Sequence, residues 1–293
     1  GLGGVKDRLL GGHKAVSSYA DWITLHDSFA PVERKWIESK IRTDLGARFH
    51  FMVVQGSAGA SAVAATRLAL ERQFDSGWKL WTDAEAAASQ ITDGLDWVGF
   101  FEPGTRFARH AVFVLRDWVA RHPEARFFYF DEDSIDAQGQ RSAPFFKPDW
   151  NEEYQLEAGY LGTSWFVRAD VFRASKLKRV REESAYQRAM ALLAAIPRKE
   201  RLAGAIVHHP GILAHVPVDR LKPRVECLTA IDSEVEAARD YLTANGLEGE
   251  ILPRIDHGTL HFLPRVPSPV PLVSIIIGTR DRLQILRGVV EGI

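Results

Sequence analysis

The 293-residue chain holds one cysteine, Cys227, and two methionines. A lone thiol excludes an internal disulfide and suits a reducing compartment. Net charge is nearly absent: 37 Lys and Arg against 38 Asp and Glu leave −1. No basic excess is available to draw the chain to nucleic acid or to an anionic membrane. Long apolar runs are missing too. Stretches such as Leu272 to Ile277 fall far short of the about 20 residues that a spanning helix needs, which excludes a transmembrane segment. The opening GLGGVKDRLLGG has basic charge but no continuous apolar stretch, so it does not read as a secretory signal. These absences point to a cytoplasmic protein, free or peripheral at the inner membrane. The loop QGSAGAS, from Gln55, matches neither G-x-G-x-x-G nor G-x-x-x-x-G-K-[ST], nor the G-x-S-x-G elbow of hydrolases. A plain turn before a helix is the simpler reading of it.

What remains is the balance of a folded protein, 46% hydrophobic and 26% charged, with ample length for a sizeable core. Residues 1–46 read as a helical lead-in. Within it Pro31 opens a helix whose inner face carries Val32, Trp36, Ile37, Ile41 and Leu45, with Gly46 as its stop. Strands are expected at Phe49–Val54, Gly77–Trp81, Asp96–Phe101 and Phe127–Phe130. Helices are expected at 61–74 and Phe107–Arg121. That alternation predicts an α/β domain over 47–262 with a mostly parallel sheet flanked by helices, and with ligands at the carboxyl ends of its strands. Further strands are expected near Thr163–Val167 and at Ala205–His209, and helices near 182–195 and 232–244. Residues 263–271 are proline-rich and predict a stiff linker. Residues 272–293 then repeat the strand-loop-helix pattern, as the truncated start of a second domain. Both ends read as cut from something longer.

The acids that end YFDED, Asp131 to Asp133, allow two readings. If the strand continues, Asp131 and Asp133 share a face and can hold a divalent cation. If it stops, they belong to a solvated hairpin turn with Asp136, Gln138 and Gly139, and this turn is the plainer reading. His208 and His209 are neighbours on a strand and cannot both face one ion, so these and His215 read as structural histidines. Phe145, Phe146 and Trp150 read as core residues, with stacking on a sugar ring as the alternative.

Four stretches in order resemble bacterial family-2 glycosyltransferases: Tyr19-Ala20-Asp21-Trp22-Ile23; Gln73-Phe74 with Trp78; FYFDEDSIDAQGQRSAPFFKPDW; and PLVSIIIGTRDR. The similarity is to the large, often tandem-domain kind of cell-surface polysaccharide and protein-glycan assembly. It implies a GT-A fold, a nucleotide-sugar donor, a glycan acceptor, and Mg²⁺ or Mn²⁺ on an acidic D-x-D element. A later carboxylate would be the general base. Where that family carries its metal acids this chain has Glu102-Pro103-Gly104-Thr105, and where it carries its base this chain has Ala185-Tyr186-Gln187. The resemblance therefore implies a degenerate first domain with Glu102, Asp131 and Asp133 as catalytic remnants and Glu102 with His215 as a remnant metal pair. Thr279, Arg280 and Asp281 would line the nucleotide in the adjoining second domain, the seat of catalysis. A non-catalytic interaction module that binds no sugar is the rival reading.

Overall fold

The computed structural model describes residues 18–28, 31–41, 46–53, 59–83, 87, 89–91, 94–175, 177, 182–218, 231–278, 280 and 282–291. Two short helices lead in, α1 (Tyr19–His26) and α2 (Pro31–Lys40). Strand β1 (Arg48–Val53), helix α3 (Ala60–Glu71) and strands β2 (Trp78–Trp81) and β3 (Asp96–Phe101) follow. Next come β4 (Arg106–Phe107), α4 (Ala111–Arg121), β5 (Phe127–Ile135) and β6 (Arg141–Phe145). The second half adds α5 (Glu152–Ala158), β7 (Trp165–Arg168), α6 (Ala169–Ala174), α7 (Ala185–Ala194), β8 (Ile206–Pro217) and α8 (Ile231–Ala244). A hairpin of β9 (Gly249–Arg254) and β10 (Thr259–Pro264) precedes a last helix, α9 (Leu283–Glu291).

The eight-stranded sheet runs β2-β1-β3-β7-β5-β8-β4, with β6 paired to β5. β1, β2 and β3 are mutually parallel, as are β5 and β8, while β7 lies antiparallel between β3 and β5. β4 and β6 are antiparallel to their partners. The sheet is therefore mixed but mostly parallel, and β1, β3, β5 and β8 end on one edge. Side-chain alternation divides the core between its faces. Val98, Phe100, Phe127 and Tyr129 join α5, α7, α8 and the β9–β10 hairpin. Trp97, Phe101, Phe128 and Phe130 join α4 and the buried residues of α2 and α3. β3 is buried at all six positions, as a strand covered on both faces must be. Gly99 in its middle meets the Trp165 carbonyl, where a Cβ would come within 2.6 Å.

Several expected elements are corrected. The helix expected from Phe107 starts at Ala111, because Arg106 and Phe107 pair with His215 and Ala214 at the sheet edge. α2 ends at Lys40, and of its expected inner face Ile37 is fully buried while Val32 and Trp36 are exposed; Leu45 lies outside the described residues. α3 stops at Glu71, and Phe74 lies instead beneath the guanidinium groups of Arg34 and Arg109. The strand expected at Ala205–His209 runs on to Pro217 because β5 extends alongside it. Leu272 to Ile277 form no strand: nothing pairs with them among the described residues, and a β-rich run without a ladder partner has no sheet to join.

One buried ion pair clamps the α-helical layer. Arg201 is 2% exposed and donates to Glu152 (3.0 Å), to Asn245 Oδ1 (2.7 Å) and to the carbonyls of Leu193 (3.0 Å) and Ile196. Tyr241 of α8 donates to the same Glu152 oxygen at 2.6 Å. Burial alone would raise the Glu152 carboxyl, but the bonds from Tyr241 and Arg201 hold it below the ordinary carboxylate value. A carboxyl depressed on folding stabilises above its unfolded value of about 4.3, and that contribution is lost as pH falls through its folded value. Glu152→Ala should cost about 3–5 kcal/mol by urea denaturation at neutral pH, because it strands a buried cation. Its deficit relative to the parent should shrink as the pH is taken below the ordinary carboxylate range.

Candidate functional site at the carboxyl edge of the sheet

The acids of YFDED lie inside β5, which continues to Ile135. The turn comes later: the Asp136 amide donates to the Gln140 carbonyl (3.0 Å), and Gly139 there takes a left-handed φ of 84°. The solvated-turn reading of Asp131 and Asp133 is thereby corrected, since each is only 2% exposed. The strand persists because β8 runs beside it. Pro210, which has no amide hydrogen, sits with Gly211 where the ladder slips, so Phe130 faces His209 while Asp131 faces Ile212. A second slip follows at Leu213, so that Glu132 faces Ala214, and together the two put His215 opposite Asp133 while His208 stays opposite Tyr129.

His208 Nε2 lies 2.9 Å from Asp131 Oδ1, and its Nδ1 lies 3.3 Å from Asp149 Oδ1. The Lys147 amide also donates to Asp131, at 2.9 Å. His208 stacks on Tyr129 with ring centroids 4.6 Å apart, and the Tyr129 hydroxyl donates to the Pro148 carbonyl. His209 faces away and meets Trp118 edge-on at 4.7 Å. Burial lowers its pKa to about 4, so it is neutral at physiological pH.

Asp133 is the most heavily bonded acid. His215 donates to it at 2.6 Å, Arg141 Nε at 2.6 Å and the Tyr19 hydroxyl at 2.5 Å. Arg141 also pairs with Asp27 beyond the end of α1. Burial would raise the Asp133 carboxyl, yet the bonds from His215, Tyr19 and Arg141 outweigh it and hold the group below its ordinary value. Burial, with the neighbouring Asp133, pushes the Tyr19 phenol up, so it stays a donor. Glu132 accepts from Ser164 and, at 3.1 Å, from Lys147. The Lys147 ammonium is fully buried, and its desolvation pulls the pKa down against the pull of Glu132.

Glu102 closes β3, where its carbonyl accepts from Thr105 in a turn around Gly104. That glycine has φ 94°, and a Cβ on it would come within 2.9 Å of Pro217. Glu102 lies within electrostatic reach of Arg188 on α7, whose pKa burial lowers while Glu102 and Glu183 oppose the shift. Thus His215 is engaged by Asp133, and the charge near Glu102 is the Arg188 guanidinium. No three His, Cys, Asp or Glu side chains among the described residues are grouped as a metal ion would need. Ala185-Tyr186-Gln187 open α7, where Ser184 and Gln187 form a capping box and the Tyr186 hydroxyl donates to the Leu156 carbonyl. Arg280 is exposed, and Thr279 and Asp281 lie outside the described residues. Sequence reasoning missed Tyr19, Arg141, Lys147, His208 and Asp149 as members of this cluster. Strand period could not place them, because Tyr19 and Asp133 stand 114 positions apart.

No family model matches the chain. It is 28% identical over 202 residues to the O-antigen biosynthesis protein RfbC of Myxococcus xanthus, covering 68% of this chain and 15% of that protein. It is 33% identical over 197 residues to the uncharacterized protein y4gI of Sinorhizobium fredii, covering 62% of this chain and 20% of that one. The resemblance to family-2 glycosyltransferases is supported. The chain spans a fifth or less of the length of these curated relatives. Among solved structures, S. aureus TarS 1-349 in complex with UDP aligns with a TM-score of 0.46 at 9% identity, covering 72% of this chain and 68% of that one. TarS 1-349 alone aligns with a TM-score of 0.47, also at 9% identity, and the same coverage. The mixed, mostly parallel α/β sheet is the fold class that the resemblance implies.

Asp133 ties α1 to the sheet through Tyr19, so Asp133→Asn should loosen residues 18–27. Hydrogen exchange of those amides should accelerate by about tenfold or more while the β3 amides stay protected. The same segment should loosen in the parent protein as acid protonates Asp133, below the ordinary aspartate value of about 3.9.

Proposed function

We propose that this chain is a segment of a nucleotide-sugar-dependent glycosyltransferase acting in surface-glycan or protein-glycan assembly. In this reading residues 47–262 no longer catalyse transfer and serve structure or acceptor binding. The observation that carries it is the engagement of the edge acids: Asp131, Glu132 and Asp133 all accept from cationic or neutral donors of the chain itself. A hard divalent cation takes several oxygens free of competing cations, and this donor set does not fit one. The position of the family's base offers the buried Tyr186 hydroxyl and the capping amide of Gln187, neither of which takes a proton at neutral pH. The name of the RfbC relative supports the glycan context. Transfer in the parent protein would belong to a second unit opening at Leu272, with Thr279, Arg280 and Asp281 lining the nucleotide and Mg²⁺ or Mn²⁺ bound there.

A second reading is a docking module that binds no sugar. It is favoured by the exposed apolar residues Leu272, Ile276, Leu283 and Ile285, which are 97%, 95%, 70% and 63% accessible.

Calorimetric titration with UDP, with and without Mn²⁺, tests the inactive reading. The expected result is no saturable heat in either case, although a Kd near 1 mM, about −4 kcal/mol, is within range of detection. Manganese-dependent binding that disappears in Glu102→Ala and His215→Ala would overturn it.

A further inference from the structure

Of the three aromatics expected to be core, Phe145 and Trp150 pack against the buried cluster, and Phe146 is displayed instead. Phe146 is 50% exposed, yet it is not loose: the Trp22 ring of α1 meets it edge-on at 5.3 Å. Trp22 in turn stacks on Tyr19 at 5.7 Å, and Tyr19 is bonded to Asp133. On its other side Phe146 is followed by Lys147, whose amide is fixed to Asp131 and whose ammonium is fixed to Glu132 and the Leu161 carbonyl. Two residues on, the Asp149 side chain is 99% exposed but held by His208. Tyr154, 42% exposed, stacks flat on buried Tyr160 at 4.8 Å. Rigid aromatic surface and an oriented, solvent-facing carboxylate therefore lie on one short segment beside the sheet edge.

We propose that Phe146, Asp149 and the Trp22 edge form a subsite for a neutral pyranose ring, which rests on the reading of this domain as acceptor-binding. A pyranose has an apolar C–H face that suits the electron-rich face of an aromatic ring, and hydroxyls around it that a carboxylate accepts. The cations of the cluster point elsewhere: Arg141 is committed to Asp133 and Asp27, and the Lys147 ammonium is buried. Nothing in the cluster therefore offers an exposed positive charge to a phosphate, which sets this subsite apart from a nucleotide site. The anchoring of Phe146 and Asp149 through Asp131 and His208 means that little ordering entropy is lost on binding.

The test uses the full chain and the methyl glycosides of glucose, N-acetylglucosamine, mannose and rhamnose at millimolar concentration, without nucleotide. Saturation-transfer NMR should show saturable binding of at least one, with the strongest transfer at ring C–H protons. Phe146→Ala and Asp149→Asn should each weaken it by up to about tenfold, as expected for losing one aromatic or charge-assisted contact. Trp36→Ala, on the exposed face of α2, should leave it unchanged, and all three variants should melt with the parent. Binding that survives Phe146→Ala overturns this subsite while leaving acceptor binding in place. No binding by any glycoside overturns both and favours the docking module. The UDP titration is independent of either outcome.

Discussion

A carboxylate that is 2% exposed cannot stay ionised unless its lost hydration is replaced, and Asp133 replaces it with bonds from three different elements. His215 comes from β8, Arg141 from β6 and Tyr19 from α1. Each bond also positions the element that supplies it. Without the charge at Asp133, Tyr19 loses its carboxylate acceptor, and α1 is left with the bonds of Arg141 to Tyr19 and Asp27 and the contact of Trp22 with Phe146. Asp131 does the same work one step earlier on β5, holding the Lys147 amide and His208, and through His208 the exposed Asp149. The arrangement of the whole carboxyl edge follows from supplying these two buried acids with donors.

That constraint bears directly on function. Acids at the end of a central strand suit metal-assisted chemistry only while their oxygens are open to the metal. Here the same oxygens are committed to guanidinium, imidazole and amide donors, which compete with a cation both for lone pairs and for charge. The edge is thus built as a rigid frame, and what it displays to solvent is aromatic surface and one oriented carboxylate. Such a surface suits recognition of a sugar ring better than stabilisation of a leaving diphosphate.

The α/β class and β3 could be read from the sequence, because strand period and the glycine and proline breaks agree there. Helix lengths were overestimated where an apolar pattern ran on past the packing, as at Phe74 and at Phe107. The acids of β5 were misread for a specific reason. Three acids beside Asp136 and Gly139 carry a strong local turn signal, and the tertiary pairing with β8 overrides it. The two slips of β8, at Pro210-Gly211 and at Leu213, which put His215 opposite Asp133, have no periodic signature. Phe146 was misplaced because a phenylalanine beside the packed Phe145 looks like core whether or not a layer covers it.

The most direct test is a manganese titration followed by the imidazole signals of His208 and His215, assigned by single-histidine variants. Bound Mn²⁺ broadens resonances within several ångströms of it. If the buried acids are held by the chain's own donors, both imidazole signals should stay sharp at stoichiometric Mn²⁺, and each histidine should keep its carboxylate partner. Selective broadening of His215 at one equivalent would mean that Asp133 can release Arg141 and Tyr19 for a metal, and would contradict the account.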